Sequence, residues 1–327
     1  MKYHFHFMAR RRLFLALSAL MLLITIVSLA TRGLNFGIDF RGGVVMDITT
    51  PAPTTTETVR SVLAAQSLGE AQVQAVGNKG ADFEFRLPPT SAAVETALEV
   101  ALKTKFGAGL SSSVSLVSPT IGRELRNRAV LAVLLATVLM TAFLAIRFQL
   151  GDAGAYSGLK FALAAVLALL HDILLTVGLF SVFQLPVNSP FVAAVLTVYG
   201  YSMNDTIIVF DRIRERLGHR QQERLSDLID VSVNQVLNRT ITTVATVLLA
   251  LLAVYFLGGA STRDLALALL VGVSFGTYSS VFIASPIFLW LTGEGGMGGT
   301  PRLGGRGGTT RRHDRSRALA PAGGEQA

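Results

Sequence analysis

The chain has 327 residues, of which 51% are hydrophobic and only 15% charged. An ordinary soluble enzyme is excluded, because the apolar residues collect in runs long enough to cross a bilayer as helices. The absence of Cys excludes disulfides and thiolate metal sites. The formal net charge of +8 follows from Lys and Arg gathered on one side of a membrane, and implies neither nucleic acid nor a cofactor.

Residues 1–12 carry Lys2, Arg10, Arg11 and Arg12 and are expected in the cytoplasm. The first apolar run is Leu13–Ala30. Its end, Ser28-Leu29-Ala30, resembles a cleavage site. The run nevertheless exceeds the roughly 7–15 apolar residues of a signal peptide, so it predicts a retained first span, 13–30. Next comes Gly37-Ile-Asp-Phe-Arg-Gly-Gly43. Adjacent Gly42 and Gly43 permit a tight turn and close backbone approach. Asp39 and Arg41 read as an exposed pair of little energetic weight.

Residues 44–120 have the pattern of a small α+β domain. Val44–Thr49, Ala71–Val76, Asp82–Leu87 and Ser112–Val117 alternate as strands. Thr54–Ala65 reads as a helix opened by Thr caps, and Ser91–Phe106 as a second helix ending near Gly107. Gly77-Asn-Lys-Gly80 is a hairpin signal. The order βαββαβ predicts a ferredoxin-like unit. With its flanks, 31–128, it is expected outside the membrane, between the first and second helices. It holds no His or Cys and nothing that reads as catalytic.

Five more spans follow within 129–291: Ala129–Ile146, Phe161–Phe183, Phe191–Phe210, Ile241–Leu257 and Leu265–Leu291. Arg123, Arg126 and Arg128 precede the second span. The third contains His171 and Asp172; neighbours in sequence point to different helix faces, so they need not pair. Asp205 lies in the fourth span beside Asn204, with Tyr201 and Ser202 a turn earlier. A carboxylate at membrane depth is expensive and marks a functional candidate. The arginine-rich loop 211–239 is expected in the cytoplasm, with Ser226–Leu237 an amphipathic surface helix. Gln235, Arg239, Thr242, Thr243 and Thr246 share one helical face, a polar stripe headed by a cation. Gly272, Gly276 and Ser280 recur every four residues, which lets helices approach closely and signals packing. Residues 292–327 are Gly- and Arg-rich and read as a disordered cytoplasmic tail.

Four segments carry a family resemblance: Gly37–Gly43; Gly200-Tyr-Ser-Met-Asn-Asp-Thr206 with Phe210-Asp-Arg-Ile-Arg-Glu215; Asn234-Gln-Val-Leu-Asn-Arg-Thr240; and Gly276-Thr-Tyr-Ser-Ser280. With the layout of one span, an outer domain and five spans, the chain resembles SecF proteins of bacterial export over roughly residues 10–291. Asn238 stands where a smaller residue is expected. The resemblance implies a six-helix half-bundle of the resistance-nodulation-division (RND) superfamily in the bacterial inner membrane, with both termini cytoplasmic. It implies SecD as the obligate partner, and work with the SecYEG channel and its associated small membrane proteins. Together these would use protons to pull a translocating polypeptide outward. It also implies a proton relay of Asp205 and Arg239, with no catalytic role, cofactor or metal.

Residue counting agrees with such a pair. Asp205 lies about seven residues, or roughly 10 Å, before Arg212. A fifth helix beginning near Val231 would put Arg239 about eight residues, or roughly 12 Å, in. Burial favours a neutral Asp205 and a nearby Arg the carboxylate, so motion of Arg239 would switch proton affinity. Thr242, Thr243 and Thr246 would hold connecting waters. Two other readings compete. An RND exporter of small molecules or lipids would carry two six-span halves. An intramembrane aspartyl protease would need Asp172 and Asp205 to share a proton, but lacks its flanking motifs here.

Overall fold

The computed structural model describes residues 5–69, 71–76, 80–149, 158–218 and 223–293. The tail beyond 293, Arg220 and the hairpin turn 77–79 lie outside them.

The outer domain follows from period-two patterning. Strands β1 (Gly43–Thr49), β2 (Gln72–Val76), β3 (Asp82–Leu87) and β4 (Ser111–Val117) pair antiparallel in the order β2-β3-β1-β4. Val44, Met46 and Ile48 of β1 and Phe83, Phe85 and Leu87 of β3 turn one way and are buried. Helix α3 (Thr56–Ala65) covers them with Val59 and Leu63, and helix α4 (Ala92–Phe106) with Leu98 and Leu102. The Thr55 hydroxyl caps α3 by accepting from the Thr58 amide at 3.3 Å. Helix α4 ends at Gly107, whose φ of +94° suits a residue without Cβ. Two crossover helices on one face of this strand order make the split βαββαβ unit that the alternation predicts.

The Gly37–Gly43 segment joins this domain to the bundle. Helix α1 (Arg11–Thr31) exits toward a single helical turn, α2 (Ile38–Arg41). Gly42 follows at φ +81°, ψ 164°. Here the chain presses on Pro119, the first residue of helix α5 (Pro119–Gln149). The Gly37 amide donates to Val187 O at 2.8 Å, and the Val187 amide to Asn35 O at 2.8 Å. Asp39 corrects the exposed-pair reading, since among the described residues no ion pair joins it to Arg41. Its Oδ2 instead accepts from the Ser189 amide at 2.8 Å. That amide opens helix α7 (Ser189–Gly218), where the backbone N–H groups lack intrahelical partners and a negative charge is favoured.

Six helices of the described residues are long and apolar enough to cross a membrane. Besides α1, α5 and α7 they are α6 (Gly158–Val182), α8 (Leu225–Leu257) and α9 (Ala260–Ser279). The last continues through a π-helical segment, Ser280–Ala284, into α10 (Ser285–Leu291). Helices α6, α7 and α9 form the interior, and α1, α5 and α8 stand outside with most of their surface open. Leu134, Val138 and Leu139 of α5 and Leu249, Phe256 and Leu257 of α8 are exposed. Such surface suits a multi-pass chain whose solvent is lipid or partner helices. Phe148, Phe161, Phe210 and Phe288 pack together at one end of the interior, with the Phe161 and Phe288 rings 4.1 Å apart. Gly272 and Gly276 set the closest seam. A Cβ at Gly272 would lie 2.3 Å from Val198 Cγ2, and one at Gly276 would lie 2.8 Å from Ser202 Cβ.

Two boundaries differ from the periodicity reading. Arg123, Arg126 and Arg128 belong to α5 itself, which starts at Pro119, and Arg126 lies over the Phe36 ring at 5.7 Å. The segment 226–237 is no separate surface helix but the first third of continuous α8. Its apolar side, Leu228, Ile229 and Val233, is buried by protein rather than lipid. Asp230 Oδ1 accepts from the Met8 amide at 2.9 Å, and Asn234 bonds both the amide and the carbonyl of Phe5 at 3.0 and 2.8 Å. The N-terminal segment thereby clamps the base of α8.

Candidate functional site in the helix bundle

Asp205 is 1% exposed on α7, and its Oδ2 accepts from Thr277 Oγ1 of α9 at 3.3 Å. The structure does not bring Arg239 to it. Arg239 is exposed on α8, and among the described residues it forms no ion pair with Asp205. Because α8 is unbroken from Leu225, Arg239 lies roughly 21 Å along the helix, well past its first turn. Thr242, Thr243 and Thr246 share the open face, and their hydroxyls donate back to Asn238 O, Arg239 O and Thr243 O. Gln235 accepts from Arg212 Nε at 2.6 Å. The polar stripe thus looks outward from this chain. Asn204 is also exposed, whereas the Tyr201 hydroxyl is buried with no hydrogen-bond partner among the described residues.

A second carboxylate is more completely held. Asp172 is 0% exposed and accepts from Ser202 Oγ of α7 and Ser279 Oγ of α9, both at 2.6 Å. Its other oxygen lies 3.0 Å from His171 Nδ1. The two neighbours, which sequence position did not require to pair, do meet here. Nδ1 is the ring nitrogen nearer the backbone, and from there it meets the adjacent carboxylate in the same seam. Ser280 hydrogen-bonds Thr277 O at 2.9 Å and begins the π-helical segment, a distortion common at functional sites.

The two carboxylates have separate partners, Thr277 for one and Ser202, Ser279 and His171 for the other. They do not form the shared-proton pair that an aspartyl protease requires. Among the described residues no cluster of His, Asp or Glu could hold a metal ion. Sequence reasoning missed Thr277, Ser279, Asp230 and Asn234 as polar partners. The segment Gly276–Ser280 was the available signal for the first two, because its hydroxyls stand beside the glycine at which α9 packs closely on α7.

Comparison with known proteins agrees with this architecture. The family model described as protein export membrane protein SecD/SecF, C-terminal, matches residues 97–294, and the SecD/SecF GG motif matches residues 27–50. Protein translocase subunit SecF of Desulfurispirillum indicum is 37% identical over 298 residues, which is 88% of this chain and 92% of that one. The protein of the same name from Magnetococcus marinus is 40% identical over 298 residues, with the same two coverages of 88% and 92%. The crystal structure of SecDF, a translocon-associated membrane protein from Thermus thermophilus, matches with a TM-score of 0.73 at 34% identity. That match covers 89% of this chain and 39% of the SecDF chain, so this chain spans about two fifths of its length. On the six-helix layout, the Gly37–Gly43 junction and these matches, the chain belongs to the SecF family of protein-export membrane proteins.

Proposed function

We propose that this chain is the SecF half of a SecD–SecF assembly in the bacterial inner membrane. The assembly uses the proton gradient to promote late steps of polypeptide export with the SecYEG channel. Both termini are cytoplasmic in this reading, and the ferredoxin-like domain is on the outer side. The observation that carries it is a buried carboxylate, Asp205, in a bundle whose neighbouring helix α8 turns a polar, cationic stripe to its open face. A charged residue on an exposed membrane helix face calls for a partner or a water path. SecD is the partner that would cover it, because this chain matches only 39% of the SecDF chain. Asp205 would load and release the proton, and Arg239 would bias the carboxyl toward its charged form as the assembly moves it near. Asp205→Asn keeps the size and the contact with Thr277 but cannot titrate. Co-purification with SecD should be normal, and gradient-dependent secretion should be lost. Secretion that still follows the gradient in Asp205→Asn would refute the relay. Failed assembly would assign Asp205 a packing role.

A further inference from the structure

The His171–Asp172 cluster is not used by the Asp205–Arg239 relay, and its geometry is specific. The Asp172 carboxylate accepts from two serine hydroxyls, which suits an ionised, acceptor-only group. His171 Nδ1 lies 3.0 Å from the other oxygen, and against an ionised carboxylate it is the donor. In a neutral ring protonated at Nδ1, Nε2 carries a free lone pair. His171 is 5% exposed, and Nε2 is buried without a hydrogen-bond partner among the described residues. Leaving a buried polar atom unpaired is costly, so a ring serving only to pack is poorly placed here.

The groups around the ring leave that nitrogen available. On α9, the Tyr278 ring stacks 6.5 Å from the imidazole, but its hydroxyl donates to Phe14 O and accepts from Ser18 Oγ. Helix α1 has no charged residue from Leu13 to Thr31. On α7 the titratable and charged groups are Tyr199, Tyr201, Asp205, Asp211, Arg212, Arg214, Glu215 and Arg216, the last four roughly 15 Å or more along the helix from Ser202, which meets Asp172. The Tyr199 hydroxyl pairs with Thr137, Asp205 with Thr277, and Asp211 with Arg147 of α5. The Tyr201 hydroxyl is buried without a hydrogen-bond partner among the described residues. Asp172 is the charged partner that His171 contacts.

We propose that His171 Nε2 is a second proton-accepting site of the bundle, separate from Asp205 and poised by Asp172. The Nε2 lone pair takes a proton delivered by water, Nδ1–H stays on Asp172, and the ring becomes an imidazolium paired with a carboxylate. One O–H bond of the delivering hydronium breaks as one N–H bond forms, water is left behind, and nothing is oxidised or reduced. Ser202 is one turn before Asp205 on α7, and Ser279 is two residues after Thr277 on α9. A change of charge at the His171–Asp172 pair therefore acts on the two helices that hold Asp205. The proton site stands on its own geometry; its consequence for export rests on the function proposed above.

Nitrogen-15 NMR of histidine-labelled full chain in lipid bilayers tests the site directly. The sequence has five His, and loss of one signal in His171→Asn assigns the resonance. At alkaline pH the ring should carry its proton on Nδ1 with Nε2 bare. A second proton should appear on Nε2 when the same sample is taken to acid pH. A ring protonated on Nε2 alone, or one that never gains a second proton, would overturn the proposal. His171→Asn keeps a donor near the position of Nδ1 and has nothing in place of Nε2. It should reach the membrane at parental levels and lose the acid-side variation of gradient-driven export; a parental pH profile would count against the coupling. Asp205→Asn, run alongside, separates the two ideas. If it abolishes gradient dependence while His171→Asn leaves the profile unchanged, only this coupling fails. If Asp205→Asn leaves gradient dependence intact, the export reading fails and NMR alone decides the proton site.

Discussion

Gly42→Ala tests the junction between the outer domain and the bundle. The φ of +81° and ψ of 164° lie in a region essentially reserved for glycine, where another residue costs about 1–3 kcal/mol. The added Cβ would lie 2.8 Å from both Cα and N of Pro119 and 2.9 Å from Val117 O. All three are backbone atoms, so no rotamer change relieves the overlap, and overpacking adds about 1–3 kcal/mol more. Gly33→Ala separates the two terms, because Gly33 has φ +66° but nothing within 4 Å of a Cβ. It should cost only the conformational part, about 1–2 kcal/mol. Gly200, within α7 and with nothing within 4 Å, should tolerate Ala or gain up to about 1 kcal/mol. Hydrogen exchange on the full chain in detergent reads the result at β1, β4 and the start of α5. Gly42→Ala should lower protection there by about 30-fold or more, the equivalent of about 2 kcal/mol. Protection within about threefold of the parent, a difference under 1 kcal/mol, would refute the reasoning. So would an equal loss in Gly33→Ala.

Other substitutions probe the interior, the sheet and the amino-terminal clamp. Gly276→Ala should destabilise the α7–α9 seam by about 1–3 kcal/mol, outweighing the roughly 1 kcal/mol gain in helix propensity. A raised melting midpoint in Gly276→Ala would show the seam is not tight. Asp47 faces Glu84 across the sheet, and burial, then Glu84, hold its carboxyl above the usual aspartate range. The folded state therefore binds this proton more tightly, and the group costs stability as pH rises through its folded value. Asp47→Asn should stabilise the domain by about 0.2–1 kcal/mol at neutral pH, and the gain should vanish below about pH 4; an unchanged neutral midpoint would count against it. Asn234→Ala removes both contacts with the Phe5 backbone, worth about 1–3 kcal/mol, and should expose the Arg10–Arg12 segment to trypsin. Parental resistance would show that the clamp lies elsewhere.

Much of this architecture is local and therefore legible in the sequence. Apolar runs must become helices where no water can pair the backbone, and strand alternation exposes the βαββαβ order without knowledge of any contact. Asp205 stood out for the same reason, as a charge inside an apolar run. The partners did not. Asp172 takes Ser202 from 30 residues away and Ser279 from 107, and Asp39 caps a helix start 150 residues on. Serine in a small-residue stripe looks like packing until the facing helix puts a carboxylate against it. The extent of α8 was also hidden, because Asp230 and Asn234 look solvated in sequence and become buried only when residues 5–8 close over them. Arg239 shows the limit from the other side. Its helical face follows from spacing alone, but only the packed bundle shows that no helix among the described residues covers that face, because α8 stands at the outside.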